Sequence, residues 1–308
     1  MAVVAPAPAA LVEVTGADRI SYLEAVTSQA LADAKPFEVR GALHLDVHGA
    51  PLHGFDVLVH PERLWLLVPT RALAEDVVTV LGGRTFLADA RFAPVEDLVV
   101  ASLRGDDAHT VAGDAGLDVA AGRWDTDDEV VRVGRPGGLD LVAPADALAR
   151  TTDALVAAGA VRGDADELDD ARILVAEPVW GREIVAPHLP EELGLLPTHV
   201  HLAKGCYPGQ EAVARMWQLG RPRRRLAKVA VDGALGAGDE LGAGRRRVTL
   251  TSVTRDGDVA LAFVPGDAEV GASFEGEDGQ RCTIEQLVGA GAPVPGHDPG
   301  VVRRRDTR

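Results

Sequence analysis

The chain changes texture at Arg225, and that change most limits what it can fold into. Before it, helical and strand-like stretches mix without a regular strand–helix alternation, which is the pattern of an α+β region and not of a doubly wound sheet. After it, short alternating stretches at 226–231, 247–252, 260–264 and 273–275 are separated by Gly/Asp turns and carry no helical period. That is the pattern of a small all-β barrel or sandwich. The expected organisation is therefore an α+β region over residues 1–225, a β domain over 226–288 and a disordered tail over 289–308, where proline, glycine and a basic end gather. The Gly/Ala-rich stretch 233–244 reads as a hairpin excursion within the β domain.

Within the first region, Asp18 is placed to cap a helix running to about Ala32, with Ile20, Leu23 and Leu31 inward. Strand alternation follows at 43–47, 55–59 and 64–68. Thr70 then caps a helix whose Leu73, Val77, Val80 and Leu81 share one face. Further strands are expected at 97–102 and 139–143, and a helix at 145–158. No repeat stands out in the sequence itself.

At 308 residues, 46% of them hydrophobic, the chain can bury a sizeable core in two or three domains. No run of 18 apolar residues occurs, so no membrane-spanning helix is expected. No basic residue precedes the apolar residues 1–12, which argues against a secretory signal. Cys206 and Cys282 offer no disulfide framework and fit a reducing, cytoplasmic setting. A net charge of −16 disfavours direct nucleic-acid binding and anionic membranes. The charge is uneven, however. From Lys204 to Lys228 there are seven basic residues against one acid, Glu211. Such an island either collects a small anionic ligand or is a solvated arginine face.

That island opens with Lys204-Gly205-Cys206-Tyr207-Pro208-Gly209-Gln210-Glu211, which holds one of two cysteines and one of three lysines in the chain. Gly205 and Pro208-Gly209 are turn formers. From Glu211 the chain reads as a helix with Val213, Met216 and Trp217 on one apolar face. A thiol just ahead of a helix N-terminus and near an ammonium should have a lowered pKa, so Cys206 reads as a reactive thiol and not as a core filler. Two other chemistries are open to the neighbouring residues. His199 and His201, in what reads as a Pro/Leu-rich strand, are candidate bases for a Cys–His nucleophile, without a third group to orient them. His44, Asp46 and His48 alternate on one strand face and form either a metal site or a polar face. No metal site is expected.

The octapeptide resembles the KGC[FY]xGQE motif of the YgfZ-type folate-binding proteins, a branch of the glycine-cleavage T-protein (GcvT-like) superfamily of aminomethyltransferase fold. The likeness continues through Glu211–Arg215 and 219–226, and upstream through Val14-Thr15-Gly16-Ala17-Asp18 and 190–195. It covers most of residues 10–265. The resemblance implies two related α+β lobes around a folate cavity, followed by a barrel. It implies binding of tetrahydrofolate or another reduced folate and support of iron–sulfur cluster assembly or repair in client enzymes, including tRNA-modifying ones, by a monomer. Cys206 would be the acting thiol with Lys204 its electrostatic partner, and Gln210 and Glu211 would order the turn. Arg215 and Arg223 are the favoured contacts for an anionic folate tail, and Trp180 for the pterin ring. The T-protein pattern also has an Asp-Asp where this chain reads His53-Gly54, and a Gly-Glu-Asp-Gly-Phe-Glu stretch where it reads 135–140, with Pro136 at the first glutamate. These departures point to the non-catalytic branch. The alternatives are a tetrahydrofolate-dependent aminomethyl or one-carbon transferase, and a docking scaffold without thiol chemistry.

Overall fold

A computed structural model describes residues 1–127, 129–219 and 222–297, with the backbone only of Leu219. Arg221 of the basic island and residues 298–308 of the expected tail lie outside the described residues. The chain forms two compact units, Met1–Leu43 with His53–Ala171, and His44–Leu52 with the chain from Arg172 onward. Residues 172–225 thus go with the barrel strands, beyond the expected boundary at Arg225.

In the first unit, β1 (Val3–Ala7), β2 (Ala10–Thr15), α1 (Arg19–Val26), β3 (Val39–Leu45), β4 (Pro51–Val59), β5 (Leu64–Val68), α2 (Arg71–Val80) and β6 (Arg91–Val95) come first. They are followed by β7 (Val99–Arg104), α3 (Ala108–Asp114), β8 (Trp124–Thr126), β9 (Val131–Arg135), β10 (Gly138–Ala143), α4 (Ala145–Ala157), β11 (Val161–Arg162) and α5 (Ala165–Leu174), the ends of β3 and α5 and the start of β4 belonging to the second unit. Two sheets result, one ordered β3-β4-β5-β2-β6 and the other β11-β1-β7-β10-β9-β8. The two-residue period of a strand divides its side chains between two cores. Val12 and Val14 of β2, with Leu64, Leu66 and Val68 of β5, face Leu23, Ala74 and Val77 of the helices. Leu11, Leu58 and Leu67 point the other way and meet Val100, Trp124, Val133 and Val142 of the second sheet. The far face of that sheet, with Leu103, Leu139 and Leu141, packs on Val111, Leu148 and Leu155 of α3 and α4.

The two lobes repeat a corner that side chains disguise. Gly16 joins β2 to α1 and Gly105 joins β7 to α3, with Asp18 and Asp107 at the helix N-caps. Both glycines have positive φ, +103° and +141°, and a Cβ on either would stand 2.1 Å from a backbone carbonyl oxygen. The close approach demands glycine in both lobes, whereas the neighbouring side chains share little.

Helix α1 ends at Val26, short of the expected Ala32. Residues 28 and 29 are drawn onto β3 instead: Ser28 exchanges bonds with Leu43, and Gln29 Nε2 donates to the Gly41 carbonyl. Glu24 Oε2 then accepts the Leu31 and Ala32 amides and holds the returning chain. Thr70 caps α2 through the Leu73 amide, as its sequence predicts.

The second unit adds α6 (Leu196–His199), α7 (Gln210–Leu219), β12 (Arg224–Asp232), β13 (Glu240–Leu241), β14 (Val248–Val253), β15 (Val259–Pro265), β16 (Ser273–Glu275) and β17 (Arg281–Leu287). The strands form an antiparallel sheet ordered β13-β14-β15-β12-β17-β16. A bond from the Gly242 amide to the Glu275 carbonyl links its two edges, so the barrel is nearly closed. Its core holds Val229, Leu250, Ala262, Phe274, Cys282 and Ile284. His199 ends a short helix and is not part of a strand. The first part of the expected tail, 289–297, makes turns and bonds back to the chain, with the Leu202 amide donating to the Pro295 carbonyl.

Candidate functional site: the cysteine loop

Cys206 is exposed, and the residues around it are tied down. Tyr207, Pro208 and Gly209 form the turn into α7. Gln210, the first helical residue, accepts the Tyr207 amide on its side-chain oxygen at 3.3 Å and donates its own amide to the Tyr207 carbonyl at 3.4 Å. The helix follows the expected face: Val213 and Trp217 are buried, Met216 is half-buried, and Ala214, Arg215 and Gln218 are exposed. Glu211, exposed in the first turn, complements the positive end of the helix dipole.

Gly209 has φ +78°, and a Cβ there would lie 2.4 Å from the Asp46 carbonyl oxygen and 3.0 Å from Gly49 Cα. Gly49, at φ +87°, turns the β3–β4 hairpin, and its own Cβ would crowd Ala212 and Leu189 at 3.0 Å. The Asp46 side chain shapes that hairpin tip by accepting the His48 and Ala50 amides. Two glycines thus let one backbone turn press against another, which fixes the exit of the cysteine loop. Gly205, by contrast, has nothing within 4 Å of its missing Cβ.

Lys204 seats its ammonium over the Tyr207 ring, 4.9 Å from the centroid. Burial pushes the Tyr207 phenol up to about 12. Cation–π contact of this kind holds the lysine close to the turn.

The other expected contacts lie elsewhere in the unit. Trp180 is half-buried and bridges to Ile184 beside the fully buried Glu183. Arg215 is exposed on α7, and Arg223, also exposed, precedes β12 with its carbonyl accepting the Gly266 amide. Among the described residues no side-chain hydrogen bond, ion pair or ring contact joins Trp180, Arg215 or Arg223 to the cysteine loop. His44, Asp46 and His48 do not converge: His44 is buried in β3, Asp46 serves the turn, and His48 is exposed in it. Among the described residues no group of three or more His, Cys, Asp or Glu side chains is placed to hold a metal.

The stretches that depart from the T-protein pattern are occupied differently. His53 is buried, with Nε2 2.7 Å from Asp76 Oδ2. Pro136 lies in the β9–β10 turn. Asp140, the one carboxylate left there, is buried and accepts bonds from Ser102 Oγ (2.6 Å), Arg104 (2.9 Å) and Arg135 Nε (2.7 Å). Burial alone would raise this carboxyl, but the Arg104 and Arg135 guanidinium groups outweigh it and hold it far below the usual carboxylate range. Arg135 also bonds Asp56. Asp140 is thereby committed to the fold and offers no proton to a ligand. Its signal was visible, since a single carboxylate in the apolar run Leu139–Val142 requires a cationic partner when buried.

A second buried network escaped the sequence reading. Glu183 accepts Arg172 NH1 at 3.1 Å, the Val179 amide at 3.0 Å and Ser252 Oγ at 2.6 Å, while Arg172 NH2 donates to Ser252 Oγ at 2.6 Å. It pins the irregular chain around Trp180 to β14. His188 stacks on Phe263 with ring centroids 3.9 Å apart, and its neighbour Glu192 accepts the Leu189 amide. Burial works to raise the Glu192 carboxyl, but bonds from His188 and the Leu189 amide hold it below its ordinary value. In the first unit, an open cleft of about 460 Å³ is lined by residues including Trp65, Leu98, Val131, Val142, Asp146 and Arg150, none of them an expected site residue.

No protein-family model matches the chain, and no curated protein matches it. Among solved structures it is similar to the glycine cleavage system aminomethyltransferase T from Bartonella henselae, with a TM-score of 0.76 and 19% sequence identity. The likeness covers 95% of this chain and 87% of that one. The fold is therefore T-protein-like, a two-lobed α+β region followed by a small, nearly closed all-β barrel.

Proposed function

We propose that the protein binds a reduced folate such as tetrahydrofolate and offers Cys206 as the acting thiol in assembly or repair of iron–sulfur clusters in client enzymes, tRNA-modifying ones among them. The observation that carries this reading is an exposed cysteine on a loop whose neighbours are fixed by Gly209, Gln210 and the Lys204–Tyr207 contact. Reactive groups held on a rigid support are where loops do chemistry. The KGCYPGQE motif and the T-protein-like fold fit the same reading. Cys206 alone does not make up a four-cysteine cluster site, so its thiolate, formed by releasing a proton to solvent, ligates iron transiently and shares it with the client. Arg215 and Arg223 are the exposed guanidinium groups available to a folate tail, and Trp180 is the ring available to a pterin.

One-carbon transfer is not part of this function. His53-Gly54 and Pro136 present no carboxylate, and the carboxylate of Asp140 is saturated by arginine. General acid–base help for methylene transfer is lacking at those positions. The test is calorimetric titration of the purified protein with tetrahydrofolate and with folinic acid, beside an assay with lipoyl carrier, one-carbon donor and tetrahydrofolate. Saturable folate binding without 5,10-methylene product is expected. Turnover above background would establish the transferase instead, and absence of binding would leave the docking scaffold.

A further inference from the structure

The run that enters the cysteine loop and the helix that leaves it are both touched by a segment distant in sequence. The chain leaves β17 at Val288, whose amide donates to the Leu226 carbonyl. Gly289 then packs so closely on Gly194 that a Cβ would stand 2.3 Å from the Gly194 carbonyl oxygen. Farther on, the Pro295 carbonyl accepts the Leu202 amide at 2.8 Å. Gly296, at φ +73°, faces the loop entry directly: its Cβ would be 2.5 Å from the Ala203 nitrogen and 2.7 Å from the His201 ring. His297 sets its ring edge-on against Trp217 of α7, with centroids 5.2 Å apart.

We infer that residues 288–297 form a strap that positions the Cys206 loop by holding both ends of its stem. At the exit the strap's His297 meets Trp217 of α7, whose first turn lies against the hairpin tip at Gly49, and at the entry the strap holds His201, Leu202 and Ala203. Lys204 follows at once with its amide on the His201 carbonyl and its ammonium on the Tyr207 ring, and beyond it Gly205 meets nothing within 4 Å of its missing Cβ, so the order of the tip depends on the stem. Among the described residues the strap is attached by few polar bonds, which places it among the segments that open without unfolding the barrel. Pro295, Gly296 and His297 are therefore positioning residues. Their effect on iron–sulfur support rests on the proposed role of Cys206, but their effect on the loop does not.

The experiment is amide hydrogen exchange by mass spectrometry on the full chain and on Gly296→Val, which forces a branched side chain against the Ala203 backbone. A second variant ends the chain at Gly289. In both, the hydrogen-bonded amides of Lys204 and Tyr207 should exchange at least about tenfold faster, while those of β14 and β15 keep their protection. Unchanged exchange at those two amides in the truncated chain would overturn the strap, whatever happens to client support. Faster exchange combined with full support by Cys206→Ser would leave the strap standing and remove the thiol reading instead.

Discussion

The two cysteines of this chain occupy opposite extremes of one unit. Cys206 is exposed on an irregular turn, whereas Cys282 is 0% exposed in β17. It pairs across to Val231 of β12 and to Phe274 of β16. A strand decides such matters by its two-residue period: Cys282 and Ile284 point into the barrel while Arg281 and Glu285 point out. A turn imposes no such rule, so the side chain of Cys206 stays available while its backbone is fixed by neighbours. Burial then pushes the Cys282 thiol up to about 11. The same functional group is thus a core filler in one place and open to solvent in the other, and the element that carries it makes the difference.

The largest expected contrast is chemical. Native protein treated with iodoacetamide near neutral pH should label at Cys206 at least about a thousandfold faster than at Cys282, because Cys282 must both become exposed and lose a strongly held proton. Peptide mass spectrometry reads both rates, and comparable rates would erase the comparison.

Next comes a contrast between two glycines of the motif. Gly209→Ala places a Cβ against the Asp46 carbonyl at positive φ and should cost about 3 kcal/mol in urea denaturation. Gly205→Ala meets open space and should stay within about 0.5 kcal/mol. Equal effects would mean that the hairpin tip does not hold the loop.

Cys282→Ser should cost about 2 kcal/mol, since it buries a hydroxyl in an apolar barrel core. A smaller effect concerns pH. The Cys282 thiol titrates in the native barrel near 11 against an ordinary 9.0, so between those values the unfolded chain binds fewer protons than the native one. Stability should therefore fall as pH rises through that window, by about 1–2 kcal/mol from this group. Cys282→Ala should flatten that part of the profile. An unchanged slope would show that the thiol is not buried as described.

Much of this was legible in the sequence. The turn-rich stretch after Arg225 signalled a barrel, Thr70 signalled its helix, and Pro208-Gly209 ahead of an apolar helical face signalled the turn into α7. Other features depend on partners the sequence does not order. Glu183 and Arg172 meet Ser252, which lies 69 and 80 residues away along the chain, and no local pattern announces that meeting. Gly209 is readable as a turn residue, but nothing near it names Gly49 as the backbone that approaches. Residues 289–297 have the composition of a tail, yet single backbone contacts to Leu202 and Gly194 place them. Helix α1 stops short of Ala32 because Ser28 and Gln29 bond to β3, a partner that the local helical pattern does not announce.

The central claim is that the sulfur of Cys206 acts, and substitution at both cysteines tests it most directly. Cys206→Ser and Cys282→Ser are expressed in a strain lacking the endogenous protein, and activity of a cluster-dependent enzyme is measured in extracts, with folding followed by thermal melt. The account predicts that Cys206→Ser melts within a degree or two of the parent, roughly 0.5 kcal/mol, and gives no support. Cys282→Ser should melt lower and retain support in proportion to the folded fraction. Full support from a well-folded Cys206→Ser protein would contradict the account.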